Sequence, residues 1–366
     1  MQAHKPNYYF SRYLTSLRRF LPSEIIGEHF PGILAVTDGI PWPMVSVFGF
    51  EWRLEEDKRG ADFLFAANIA TGGRDILAGR HPLVCIEIGE IQPEWQAISA
   101  FCRHWADPQS ALFNGADDVW FEFDINAAAE HRLGPSFFFG PRVGLGDPEN
   151  SIQRTSLILQ EGLSALLYGG TPKGVKLAID QLLEGLPSHA RVFQAGLMLS
   201  RPGSPLRICL DNLRPDEIAA CANRLRGTDM AGLVAKYIER LQPYVLFIKP
   251  SFDVGPNASS RIGLECYCTV PQRPSGPDVW APLLDHLVAD GLCIASRRDV
   301  LMNLKPLIRA ADCQPEWPQE SSTALEALVR RERGVSMQLH HIKLTVDSTH
   351  AASAKAYIAL QKVWLN

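Results

Sequence analysis

Lysine, arginine and tyrosine recur at alternate positions in segments whose intervening residues are apolar. In AKAYIAL, Lys355 and Tyr357 fall on one side of an extended chain, and Ala356, Ile358 and Leu360 on the other. In HIKLTV, His341, Lys343 and Thr345 oppose Ile342, Leu344 and Val346. LRICL sets Arg207, Cys209 and Asp211 against Leu206, Ile208 and Leu210. In RIGLECYCTV, Arg261, Glu265 and Tyr267 oppose Leu264, Cys266 and Cys268, and Lys249 lies in YVLFIKPSF. Successive strand residues point to opposite faces, so each segment reads as a strand with one apolar and one charged face. Cations gathered on one enclosed face repel one another unless an anion sits among them. Anion binding is therefore the first chemistry the spacing suggests.

Other chemistries find little support. The eight cysteines include no CxxC pair and no four-ligand metal spacing, and read as reduced buried thiols. Adjacent His340 and His341 should face opposite sides of a strand, so they form no two-histidine metal face. YGGTPKG lacks the GxxxxGK[ST] pattern and reads as a turn, and neither GxSxG nor HExxH occurs. Lys+Arg 36 against Asp+Glu 40 gives a net charge of −4. That balance carries no bulk field for nucleic acid or an anionic membrane. No apolar run approaches the roughly 20 residues of a membrane span, and the N-terminus lacks the unbroken apolar run of a signal peptide. A soluble, cytoplasmic protein is expected.

The elements that must position these residues follow a rhythm. Pairs of strand-like segments alternate with helical ones five times: Met44–Leu54 with Ala61–Ile69, Asp118–Ile125 with Ser136–Gly140, Arg191–Ser200 with Leu206–Leu210, Tyr244–Phe252 with Arg261–Val270, and His340–Val346 with Ala354–Leu360. Helical spacing covers 8–30, 94–105, 151–167, 173–186, 215–226, 230–241, 278–290 and 297–307, with Asn150-Ser151 as an N-cap. Tight turns make the pairs antiparallel hairpins. Ten antiparallel strands leave costly edges unless they close, and helices returning after each hairpin cover the outer face. The predicted fold class is α+β: a ten-stranded antiparallel β-barrel surrounded by a ring of α-helices. It forms one domain over 1–366, with an N-terminal helical segment at 1–40. The apolar face turns outward to the helices and the polar face lines a lumen wide enough for a ligand.

With these residues in place the chain resembles the ABBA prenyltransferases, a family of aromatic and peptide prenyltransferases built on ββαα repeats in a barrel. The resemblance spans about residues 40–366. Its most specific piece is Lys355-Ala356-Tyr357, preceded by Ile342-Lys343-Leu344, which is similar to the Lys/Arg-x-Tyr pairs that this family carries on barrel strands. The resemblance implies a transferase of isoprenoid diphosphates of the kind used in natural product biosynthesis. It would move a dimethylallyl or longer allylic group from its diphosphate to an aromatic small molecule or a peptide side chain. It implies Arg207, Lys249, Lys343 and Lys355 as diphosphate ligands, with Arg261 a weaker member near its turn. Tyr267 and Tyr357 would screen the allyl cation. Glu51, in GFEWRL, or Glu122, beside Trp120 and Asp124, would serve the acceptor as base, with Glu265 a third choice whose blander role is pairing with Arg261 or Lys249. Two features depart from the family pattern: Ala61–Ile69 holds no cation, with Arg53 and Arg74 only at strand ends, and LRICL carries no Tyr. No DDxxD or NDxxD motif is present, so no metal site is assigned, although Mg²⁺ can accompany a diphosphate. A non-catalytic barrel binding an anionic or amphipathic small molecule is the alternative reading.

Overall fold

The computed structural model describes residues 9–55, 60–81, 93–125, 134–142, 148–167, 170–199, 201, 203, 205–255, 258–270, 276–315, 317–318, 332–349 and 352–365. Its strands are β1 (Val45–Arg53), β2 (Asp62–Asn68), β3 (Ala116–Phe123), β4 (Ser136–Pro141), β5 (Arg191–Leu197), β6 (Leu206–Asp211), β7 (Phe247–Val254), β8 (Ile262–Tyr267), β9 (Leu307–Arg309), β10 (Glu332–Val346) and β11 (Ser353–Leu365). Each neighbouring pair is antiparallel. The order runs β1 to β8, then β10 and β11, and β11 pairs back onto β1. Ten strands thus close into a barrel with no free edge.

The ninth strand is one element that the sequence pattern does not reveal, as are the short helices Gly73–Leu77 and Ala111–Gly115. Leu307–Arg309 pairs with β10 through Gly334–Ser336, beyond the stretch where β10 meets β8. It can do so because β10 and β11 run well past their predicted ends. The predicted helix 297–307 stops earlier, at Met302, which frees these residues. The predicted N-terminal helix 8–30 is broken into Phe10–Leu17, Ser23–Ile26 and Phe30–Thr37 with 3₁₀ turns between. The helix placed at 151–167 begins at Pro148, so Asn150-Ser151 lies inside it rather than capping it.

Alternation decides which face is which. On β11, Ala354, Ala356, Ile358 and Leu360 are buried, while Lys355, Tyr357 and Ala359 are half-exposed. On β3, Val119, Phe121 and Phe123 are buried and Trp120 and Glu122 half-exposed. The buried set continues around the barrel through Phe50, Phe65, Phe137, Ile208, Leu264 and Ile342. This set packs against the helices: Pro148–Leu166 lies on β4 and β5, and Lys173–Glu184 on β7. Apolar burial at about 25 cal/mol per Å² is what holds the helical ring to the barrel. The opposite face is left to the lumen. Among the described residues, no helix is long and apolar enough to cross a membrane.

The turn joining β10 to β11 has a local cause. Asp347 Oδ1 accepts from the Thr349 amide at 3.0 Å and its hydroxyl at 2.8 Å, an Asx turn that reverses the chain. Arg261 Nε binds the other oxygen of Asp347 at 3.1 Å. The weaker predicted anion ligand is therefore engaged at the barrel's end, and its side chain is 58% exposed.

Candidate active site

Register brings the predicted residues together. Glu51 of β1 faces Tyr357 of β11 and Asp62 of β2. Lys343 of β10 faces Lys355 on one side and Glu265 on the other. Lys249 of β7 faces Glu265, and Arg207 of β6 faces Asp253. Arg207, Lys249, Lys343 and Lys355 thus stand on the inner face of one arc of the barrel, β6–β11. Glu51, Asp62 and Glu122 stand on β1, β2 and β3.

The lumen is charge-balanced rather than uniformly positive. Lys355 Nζ and the Tyr357 hydroxyl both donate to the Glu51 carboxylate. Lys343 Nζ lies 3.3 Å from Glu265 Oε1, and the Tyr267 hydroxyl donates to Oε2 at 3.2 Å. Arg207 Nε donates to Asp253 at 2.9 Å, and Ser259 Oγ reaches the other oxygen of Asp253 at 2.6 Å. Lys249 Nζ binds Asp211 at 2.8 Å and lies 4.5 Å over the Phe193 ring. A fifth cation, Arg201, grips Asp124 with two bonds of 3.1 and 2.8 Å. Period-2 alternation already places Asp211 and Asp253 on the lumen face, since they follow Arg207 and Lys249 at four residues. A search for cations alone passes over them. Arg201 had no such signal, because it sits in the turn after β5.

The carboxylates divide sharply. Burial pushes Glu51 up, but Lys355, with its hydrogen bond and that of Tyr357, outweighs this and brings the group down to about 2. Glu122 has no hydrogen bond or cation partner among the described residues, and burial followed by the Glu51 charge pushes it up to about 7. Asp62, accepting only the Ile125 amide at 2.9 Å among the described residues, is pushed by burial and Glu51 to about 6. Glu51 is thus a fixed anion, whereas Glu122 exchanges protons near neutrality.

Raised carboxyls cost stability, and the sign can be worked out. A group raised from 4.5 to about 7 opposes folding fully above pH 7 and not at all below pH 4.5. Glu122→Gln should therefore stabilise the protein at pH 8 by about 2 kcal/mol, allowing for lumen solvent, and leave it unchanged at pH 4. Urea midpoints at the two pH values check this; equal shifts at both would show that Glu122 is not strained.

Four rings on adjacent strands form a ladder. Phe247 stacks on Tyr267 at 4.8 Å, Tyr267 on His341 at 5.1 Å and His341 on Tyr357 at 4.2 Å. Tyr267 is covered on both faces, by Phe247 and His341, and Tyr357 on one. The two histidines do not face opposite sides. The β10–β11 register slips between Leu339 and His341, and this bulge brings His340 Nδ1 within 2.8 Å of His341 Nδ1.

No protein-family model matches the sequence, and no curated protein matches it significantly. Solved structures do. The chain is similar over 98% of its length to the crystal structure of AnaPT from Neosartorya fischeri, covering 92% of that chain at 9% identity with a TM-score of 0.50. It is similar over 96% of its length to a 6-dimethylallyl tryptophan synthase, covering 94% of that chain at 14% identity with a TM-score of 0.51. The fold is the ABBA barrel. In this ABBA barrel all four predicted anion ligands are gathered on one arc, and both predicted carboxylates lie within the same lumen. Among the described residues no group of three His, Cys, Asp or Glu is arranged to hold a metal ion.

Proposed function

We propose that the protein is a prenyltransferase, transferring a dimethylallyl or longer allylic group from its diphosphate to an aromatic small molecule or a peptide side chain. The observation that carries this is the division of the lumen. Cations line β6–β11, while Asp62, Asp118 and Glu122, carboxyls raised by burial and without an ion pair among the described residues, lie on β2 and β3. The name of one fold neighbour, a dimethylallyl tryptophan synthase, joins the same two halves, an allylic donor and an aromatic acceptor.

In this reading the carbon–oxygen bond of the allylic diphosphate breaks and its electron pair leaves with the diphosphate. Arg207, Lys249, Lys343 and Lys355 stabilise the developing charge, Arg bidentately and Lys as a point charge. The allyl cation is attracted to aromatic faces by on the order of 1–2 kcal/mol per desolvated contact. Tyr357 is the better shield ring, since both faces of Tyr267 are occupied. The acceptor attacks the cation, and the proton it loses goes to the Glu122 carboxylate. Glu51, held by Lys355 and Tyr357, orients the acceptor instead. The work is set in the cytoplasm.

A second reading, a non-catalytic barrel that binds an anionic or amphipathic molecule, draws on one observation: each cation of the arc already has a carboxylate partner. The two part in one experiment. Diphosphate release and prenylated product, measured by mass spectrometry over a panel of aromatic compounds and peptides, should appear only with donor and acceptor together, and should persist with chelator. Binding of an unreactive thio-diphosphate analogue without turnover on any acceptor supports the second reading.

A further inference from the structure

Lys343 serves two partners under the proposed function, and among the described residues it pairs with one. It is held by Glu265, whose side chain is 8% exposed. To reach a bound diphosphate it must turn away, leaving a buried carboxylate short of its cation. Removing one member of a buried ion pair is strongly unfavourable, because the remaining charge is uncompensated. The Tyr267 hydroxyl still donates to Glu265 Oε2, but among the described residues no Lys or Arg would then pair with Glu265 unless another group takes the place of Lys343.

A replacement stands ready. His341 Nε2 is buried, has no hydrogen-bond partner among the described residues, and lies 4.0 Å from Glu265 Oε2. Buried polar atoms without partners are rare in folded proteins and call for an explanation. Glu265 Oε2 faces Nε2 at 4.0 Å, and an acceptor there favours the tautomer with hydrogen on Nε2. His341 Nδ1 then accepts from His340 Nδ1, 2.8 Å away. His340 is half-buried, and burial pushes it down to about 4, with Lys249 opposing and Glu265 favouring its charge, so it passes a solvent proton on without keeping it.

We propose that His341 is a positioning residue for anion binding: it takes over Glu265 when Lys343 turns to the diphosphate, and one proton from solvent enters through His340. The proton balance closes. A solvent proton adds to Nε2 of His340, the Nδ1 proton of His340 crosses to Nδ1 of His341, and His341 becomes an imidazolium against the Glu265 carboxylate. No bond other than these N–H bonds forms or breaks. The groups facing His341 fit this exchange. Tyr267 and Tyr357 cover its two faces; Lys343, Lys249 and His340 oppose its charge; Glu265 and Glu51 favour it. Burial first, then His340 and Lys343, hold it well below the usual imidazole range while Lys343 remains in place. Withdrawal of Lys343 removes one of these opposing charges.

This inference rests on the prenyl-transfer reading for the identity of the anion, and its test separates the two. The probe is inorganic diphosphate, titrated calorimetrically into the full chain between pH 6 and 8 in buffers of different ionisation enthalpy. Wild type should take up close to one proton per diphosphate bound, and His341→Phe should take up measurably less. His341→Phe should also bind about tenfold more weakly at pH 6, the factor one unit of differential protonation represents. Glu122 and Asp62 titrate in the same window, so the readout is the difference between variant and wild type. The decisive comparison is Glu265→Gln. Without the carboxylate charge no replacement is needed, so His341→Phe added to Glu265→Gln should weaken binding no further. A merely structural His341 would weaken binding equally in both backgrounds, and that result overturns the proposal. Nitrogen-15 spectra of labelled histidine give an arm independent of binding: hydrogen on Nε2 of His341 is required, and a bare Nε2 overturns it. If wild type binds no diphosphate, the prenyl-transfer reading fails, while the spectra still decide the state of His341.

Discussion

Lys355→Met should destabilise the protein by roughly 3 kcal/mol and lower prenyl transfer by about a hundredfold or more. Both effects start from one ion pair. Lys355 and Glu51 are mostly buried, with side chains 17% and 12% exposed. Removing the ammonium strands a carboxylate that, among the described residues, only the Tyr357 hydroxyl then satisfies. The depression of Glu51 from 4.5 to about 2 gives the scale: at about 1.4 kcal/mol per unit it corresponds to the same roughly 3 kcal/mol. A lowered carboxyl stabilises above its unfolded value and ceases to do so as pH falls through its folded one. Wild type should therefore lose this contribution between pH 4.5 and 2, and Lys355→Met should lack most of that acid-induced loss because it has little left to lose. The double variant Lys355→Met with Glu51→Gln removes both charges and should recover most of the stability. It should not recover turnover, because the diphosphate still lacks its cation. Urea unfolding over pH, alongside product formation, separates the two roles. Full activity in the double variant would remove Lys355 from the diphosphate site.

How far the sequence discloses this architecture depends on which force sets each feature. The barrel is legible because burial is. Alternation of Ile342, Leu344 and Val346 with His341, Lys343 and Thr345 is a local record of two environments, and the structure places the first set against helices and the second in the lumen. Four cations selected by alternation come together because a closed sheet leaves only one inner face. The pairing of those cations was less legible. Asp253 lies two residues from Ser251 and four from Lys249 on the same strand, but its bond to Arg207 is set by the register of β6 against β7, which a single sequence does not contain. The His340–His341 contact was hidden for a related reason. A one-residue bulge reverses the face rule beyond it, and nothing in the residue types marks where β10 slips against β11. The β9 strand, three residues long, is shorter than the period from which strands are recognised. Glu51 and Glu122 were both candidates in the sequence, with Glu51 slightly ahead; the lysine beside Glu51 and the unpaired setting of Glu122 among the described residues reverse that order.

The inside and outside of β3 can be told apart by two neighbouring truncations. Phe121 is fully buried among the helices' side of the barrel, stacked on Phe65 at 4.6 Å, near Trp95 at 5.7 Å and edge-on to Phe137 at 5.3 Å. Trp120, the next residue, turns its larger ring to the lumen and is half-exposed. Hydrophobicity alone ranks the tryptophan as the costlier loss. Packing reverses the order, because a cavity at Phe121 is walled by three aromatic rings that cannot close over it, whereas the space left by Trp120 opens to lumen water. Phe121→Ala should cost about 3–5 kcal/mol and Trp120→Ala roughly 1 kcal/mol. Chemical unfolding of the two variants checks the order directly. Trp120→Ala should instead alter which acceptors are prenylated, since its ring shares the lumen face with Glu122. An equal loss of stability in both variants would mean that the lumen is packed solid and holds no substrate.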